Sequence, residues 1–167
     1  FGDLKTTSTN RFRNYGLTVG GDYRVSKTFV AGLMGGYTRG RSDLDDAGST
    51  AKTAAYSLGV YGTYYNGGFY VDGQVQCGWN AVDKERRIVF PGIDRTAVSD
   101  QKGRLLTMAG DLGYDIPVRH WTLTPMLSVE YIRLATEDYT ESGAGALNLT
   151  VAGQSTKLLQ GHAGGSV

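Results

Sequence analysis

Six charged side chains stand on stretches that are otherwise small and polar: Asp22, Arg24, Asp72, Asp111, Asp115 and Glu130. Carboxylates so placed could work as general acid and base, hold a cation, or line a hydrated channel. Catalysis needs a nucleophile beside a base in a recognisable arrangement, and the sequence presents none. His120 falls in a turn and His162 near the end, without an H-x-x-x-H spacing or a cysteine partner, so no metal-ligand set forms. Cys77 is the single cysteine, which excludes an internal disulfide and a cysteine-based zinc cluster. It shares its face with Val75 and Trp79 and reads as a small apolar residue, buried or facing lipid. Glu141 to Leu147 is glycine-rich but lacks the Lys-Ser/Thr of a phosphate loop, and reads as a loop-to-strand transition. Asn148-Leu149-Thr150 matches a glycosylation sequon within an expected strand. The charges, with Gln74 and Gln76, are therefore expected to pair across strands and line a water-filled interior. No catalytic residue, metal or cofactor is expected.

The elements that hold them alternate with period two. From Ala54 to Ala81 the chain reads AYSLGVYGTYY, then Asn66-Gly67-Gly68, then FYVDGQVQCGWNA. Tyr56, Leu58, Val60, Gly62 and Tyr64 share one face of the first arm. Phe69, Val71, Val75, Cys77 and Trp79 share one face of the second, opposite Asp72, Gln74 and Gln76. Alternation around an Asn-Gly turn is the strongest short-range hairpin signal. The same period recurs at Tyr15–Val25, Phe29–Tyr37, Leu106–Ile116, Trp121–Tyr131 and Leu147–Val151, with strand ends expected at Phe1–Thr6 and beyond Ser155. About nine strands and no helix are expected. Pro125 interrupts its strand, and Met126, Ile132 and Leu134 fall on its polar face. That strand is bulged, or these residues meet something apolar inside.

Loops alternate in length. Ser26-Lys27, Asn66–Gly68, Pro117–His120 and Gly153–Ser155 are short, whereas Gly40–Lys52, Asp83–Arg95 and Thr136–Ser142 are long and polar. An up-and-down meander produces this pattern, and membrane barrels have short periplasmic turns and longer outer loops. Aromatic residues bracket the apolar faces. Tyr15/Tyr23, Phe29/Tyr37 and Tyr56/Tyr64 lie eight residues apart, and Phe69/Trp79 and Trp121/Tyr131 ten apart. At a rise of ~3.3 Å and a tilt near 40° these spacings project to about 20–26 Å, against the ~25 Å band between the aromatic girdles of an outer-membrane barrel. With Tyr114 these residues form the expected lipid-facing girdle.

Length and composition agree. The 167 residues fit a single domain, 1–167, and 25 glycines are about twice the usual ~7% share. A formal charge of +1 gives no field to recruit nucleic acid. No apolar run is long enough for a membrane helix, which bears only on helices. A soluble antiparallel barrel explains the alternation equally well, but its outer face would carry many more Lys and Glu residues.

The succession YGLTVGGDYRVSKTFVAGLMGGYTRGRSDL, YSLGVYGTYYNGGFYVDGQVQCGWN, GIDRTAVSD, LTPMLSVEYIRL and YTESGAGALNLTVAGQS resembles the translocator barrel of bacterial autotransporters, the type V secretion proteins. The resemblance implies a transmembrane antiparallel up-and-down β-barrel of twelve strands in the outer membrane of a Gram-negative bacterium. It further implies an N-terminal passenger that crosses to the cell surface and an α-helical linker that then plugs the lumen. By position, the long loops would be extracellular and the turns at Ser26, Asn66, Pro117 and Gln154 periplasmic. Asp22, Arg24, Asp72, Gln74, Gln76, Asp111, Asp115 and Glu130 would face the lumen and touch the linker. Outer-membrane lipid and the barrel-assembly machinery are the other implied partners. Relative to this pattern the chain is expected to be truncated at both ends. A small outer-membrane adhesin acting through its loops, or a soluble ligand-binding barrel, are the alternatives.

Overall fold

The computed structural model describes residues 11–43 and 48–166, so the strand end expected at Phe1–Thr6 and the loop residues Asp45 and Asp46 lie outside it. The hairpin forms as its alternation requires. Strands β3 (Thr50–Asn66) and β4 (Phe69–Phe90) pair antiparallel from Thr50↔Glu85 to Asn66↔Phe69. Gly67 and Gly68 turn the chain at φ 60° and 89°, a left-handed conformation that disfavours side chains.

The same arrangement extends over the described chain. β1 (Arg11–Arg24), β2 (Phe29–Asp43), β3, β4, β5 (Ile93–Tyr114), β7 (Trp121–Thr136) and β10 (Gln154–Ser166) form one antiparallel sheet in chain order, and β6 (Ile116–Val118) pairs with β7. The β1–β2, β3–β4 and β5–β7 connections lie at one end of the sheet. The β2–β3, β4–β5 and β7–β10 connections lie at the other.

Three expectations change. Asp83–Arg95 is not a loop: β4 and β5 each run 22 residues and pair to Phe90↔Ile93 around Pro91-Gly92, so this hairpin stands beyond its neighbours. Charged residues such as Lys84 and Arg87 hid it, because outside an apolar environment a strand needs no apolar face. Leu147–Val151 is not a strand of the sheet. The stretch between β7 and β10 is a strap made of β8 (Tyr139–Thr140), a 3-10 turn (Gly145–Leu147) and β9 (Thr150–Val151). Asn148 accordingly ends that turn, its side-chain oxygen accepting from the Ala144 amide at 2.8 Å. The turn at Gly153–Ser155 therefore lies at the long-loop end, because Gln154 pairs with Thr136. Of the nine expected strands, that at Phe1–Thr6 lies outside the described residues, and seven of the other eight are long strands of the sheet.

Pro125 makes no bulge. The β5–β7 ladder lapses after Gly113↔Met126 and resumes at Ile116↔Leu123 in unchanged register. Across the gap the Thr124 hydroxyl donates to the Asp115 carboxylate at 2.7 Å.

The buried apolar residues among those described lie where the strap meets the outer part of β4 and β5. The strap lies on the β4–β5 hairpin, where Ile88, Ala97 and Ala144 form a small core with Leu147 against it. Arg86 Nε donates to Glu141 Oε1 at 3.0 Å, and Arg95 Nη1 donates to the Ala144 carbonyl at 2.8 Å. Gly143 sits at φ 96° so close to the Thr96 carbonyl that a Cβ would reach 2.6 Å, which fixes glycine at that contact.

Candidate functional site

Register assigns every strand residue to one of two faces. The expected girdle residues Tyr15, Tyr23, Phe29, Tyr37, Tyr56, Tyr64, Phe69, Trp79, Tyr114, Trp121 and Tyr131 all fall on one of them, with the tyrosines of the Tyr37↔Tyr56 pair 4.9 Å apart between ring centres. This face is open: Leu33 is 67% exposed and Leu58 63%. On β3 the opposite residues Ser57, Gly59, Tyr61 and Thr63 are half-buried. A sheet curled toward its polar side has this exposure pattern, because curling crowds the inner face.

The polar face is the candidate site, and the expected residues come together on it in rows across the strands. One row joins Asp22, Gly32, Tyr61, Gln74, Ala109, Glu130 and Gln160. The next, nearer the short turns, joins Arg24, Val30, Thr63, Asp72, Asp111, Ser128 and His162. Gln76 lies one row further toward the long loops, and Asp115 lies at the turn end beside Thr124.

Hydrogen bonds fix several of these groups. Tyr61 lies over Gly32, where a Cβ would collide with its ring, and its hydroxyl donates to Asp22 Oδ2 at 3.1 Å. Thr63 donates to Asp72 at 2.5 Å, and Gln160 Nε2 donates to Glu130 at 2.6 Å. Asp72 stands directly opposite Asp111, a like-charge pair that raises the local demand for a cation. In these rows the carboxylates face Arg24 as the one permanent cation among the described residues. No metal-ligand group forms among the described residues. Such a wall can hydrate, orient and attract a positively charged polypeptide.

The face also holds residues that alternation alone did not single out. Ile132 pairs with Leu158 and Leu105 with Leu134, a contiguous apolar patch toward the long-loop end. Ile132 and Leu134 stood out in the sequence as exceptions to their strand's polar face. Leu105 and Leu158 each begin or end a short apolar pair, so nothing local gives their direction. Arg86 and Glu141 pair across 55 positions, a contact without a sequence signature.

The model of the autotransporter beta-domain family matches residues 2–167. The esterase EstA of Pseudomonas aeruginosa is 29% identical over 139 residues, covering 81% of this chain and 22% of that protein. The chain thus spans about a fifth of the length of the curated relatives it matches. Among solved structures, the translocator domain of the autotransporter NalP from Neisseria meningitidis superposes with a TM-score of 0.76 at 23% identity, covering 93% of this chain and 54% of that one. The beta domain of the Bordetella autotransporter BrkA gives 0.59 at 17% identity, covering 91% and 60%. An antiparallel meander with an aromatic-bounded apolar face and a polar opposite face, matched over nearly its whole length by one family, places this chain in the Gram-negative outer membrane as a member of the autotransporter beta-domain family.

Proposed function

We propose that this domain lets its own passenger cross the outer membrane and then anchors it, with the polar face as the wall along which the polypeptide passes. Family membership carries the reading. The rows containing Asp22, Asp72, Gln74, Asp111 and Glu130 support it, since they offer hydration and hydrogen bonds from strand to strand across the sheet. Gln76, Arg24 and Asp115 extend that wall, and the α-helical linker is its final occupant. The girdle residues meet lipid, and the barrel-assembly machinery inserts the strands. The esterase activity that names the Pseudomonas relatives belongs to those proteins.

The test is a precursor in which an epitope-tagged passenger precedes this domain. Protease added to intact cells should remove the tag while the barrel remains protected and migrates as a folded, heat-modifiable band. A barrel that assembles normally while its passenger stays inaccessible would remove the reading.

A further inference from the structure

The margin of the apolar face at the long-loop end is chemically uniform in a way that transport does not require. On five of the seven long strands the first residue of that face past the apolar band is basic. Arg13 follows Tyr15 on β1, Arg39 follows Tyr37 on β2, Arg104 follows Leu106 on β5, Arg133 follows Tyr131 on β7 and Lys157 follows Leu159 on β10. Between the two margins the face carries no charged residue. The margin at the short turns is mixed, with Val25, Asn66, Gly67 and Ile116 beside Lys27 and Arg119.

Three of the five basic groups are neighbours. Arg133 stands directly opposite Lys157, and Arg104 is its diagonal neighbour, since Leu106 pairs with Arg133 and Arg104 with Ala135. Like charges opposite one another repel unless an anion lies between them. Among the described residues Arg133 and Lys157 form no ion pair. Arg104 has Glu137 at 4.0 Å, with both side chains more than half exposed. Beside them opens a cleft of about 450 Å³ lined by Cys77, Trp79, Arg104, Leu106 and Arg133. Its walls thus combine an apolar floor with two guanidinium groups, whose planar forks of N–H donors can each engage two phosphate oxygens at once.

We infer that this collar binds the phosphorylated headgroups of glycolipid in the outer leaflet, with Arg104, Arg133 and Lys157 as its main seat. Charge complementarity and position select this occupant. Outer-membrane barrels carry their longer loops on the extracellular side, so the cations sit at the depth where an apolar band gives way to outer-leaflet headgroups. Arg and Lys stems lie along the apolar surface while their charged ends reach that layer.

The experiment uses full-length protein extracted from outer membranes in mild detergent, with lipid retained per barrel counted by native mass spectrometry. Lipopolysaccharide, its phosphatase-treated form and excess inorganic phosphate are the probes. Wild type should retain the phosphorylated lipid, lose the treated form and keep its lipid against free phosphate. The Arg104→Gln/Arg133→Gln/Lys157→Gln variant should lose about tenfold or more in occupancy, and Arg104→Lys/Arg133→Lys, which keeps the charge without the planar fork, should fall between it and wild type. Equal retention of the two lipid forms, displacement by free phosphate, or full occupancy in the Gln variant would each overturn the inference. The wild-type comparison needs no variant, so a Gln chain that fails to assemble leaves the test decisive. Passenger exposure in the same cells reports transport separately, so loss of lipid binding with intact export leaves the proposed function standing.

Discussion

Glu141 is 7% exposed, yet it is charged, because it is held by Arg86 and by the Leu149 amide at 3.0 Å. The hydrogen bond from Arg86 lowers its pKa below the ordinary carboxylate range, against the opposing effect of burial, and the Leu149 amide adds to the lowering. A carboxyl whose folded pKa is depressed contributes stability above its unfolded value of ~4.3 and loses it as pH falls through the folded value. The strap should therefore hold the hairpin at neutral pH and release it only once the pH has fallen below the ordinary carboxylate range. Amide exchange at Leu149, corrected for the intrinsic rate, should show protection at neutral pH that disappears in acid. Glu141→Gln should lower that protection by about 1 kcal/mol at neutral pH, a figure discounted because the Arg86 side chain is 37% exposed. It should also flatten the acid dependence. An unchanged acid profile in the variant would show that some other group controls the strap.

At the scale of the strand, the assignment of faces was legible because side-chain direction depends only on parity once the register is set. The Asn-Gly turn sets it for β3 and β4, and the meander carries it to the other strands. Asp72, Gln74 and Gln76 could thus be placed on one face from spacing alone. The strap could not, because Ala97 and Ala144 are buried by each other across a long separation and neither shows periodicity. The outer part of β4–β5 was equally hidden, since its residues alternate nothing apolar against polar. Parity makes a sharp prediction. Val60→Arg places a cation on the apolar face, which the proposed function turns toward lipid, and should cost about 2–4 kcal/mol near the midplane, lowering the yield of folded barrel. Ser57→Arg, three residues away on the polar face, should assemble close to normally. Heat-modifiable migration of the two variants checks this, and equal impairment would reverse or abolish the assignment of faces.

Across the whole molecule, two charge patterns lie on opposite faces and toward opposite ends of the sheet. The outer margin at the long loops is basic, whereas the inner rows toward the short turns carry Asp22, Asp72, Asp111, Asp115 and Glu130 against Arg24. Fields from exposed charges fade within a Debye length of ~8 Å in physiological salt, so each set governs its own side. An ion inside a lumen meets the carboxylates at closer range than that, and rings of Asp and Glu favour cations. Residual conductance of the full-length protein in a planar bilayer should therefore be cation-selective under a potassium chloride gradient. Asp72→Asn/Asp111→Asn removes the like-charge pair without changing its shape, and should move the reversal potential toward zero. Arg104→Gln/Arg133→Gln should leave it in place, because those cations lie on the other face. Anion selectivity, or a shift caused by the outer variant and not the inner one, would mean that the sheet curls the other way and that the polar rows face out.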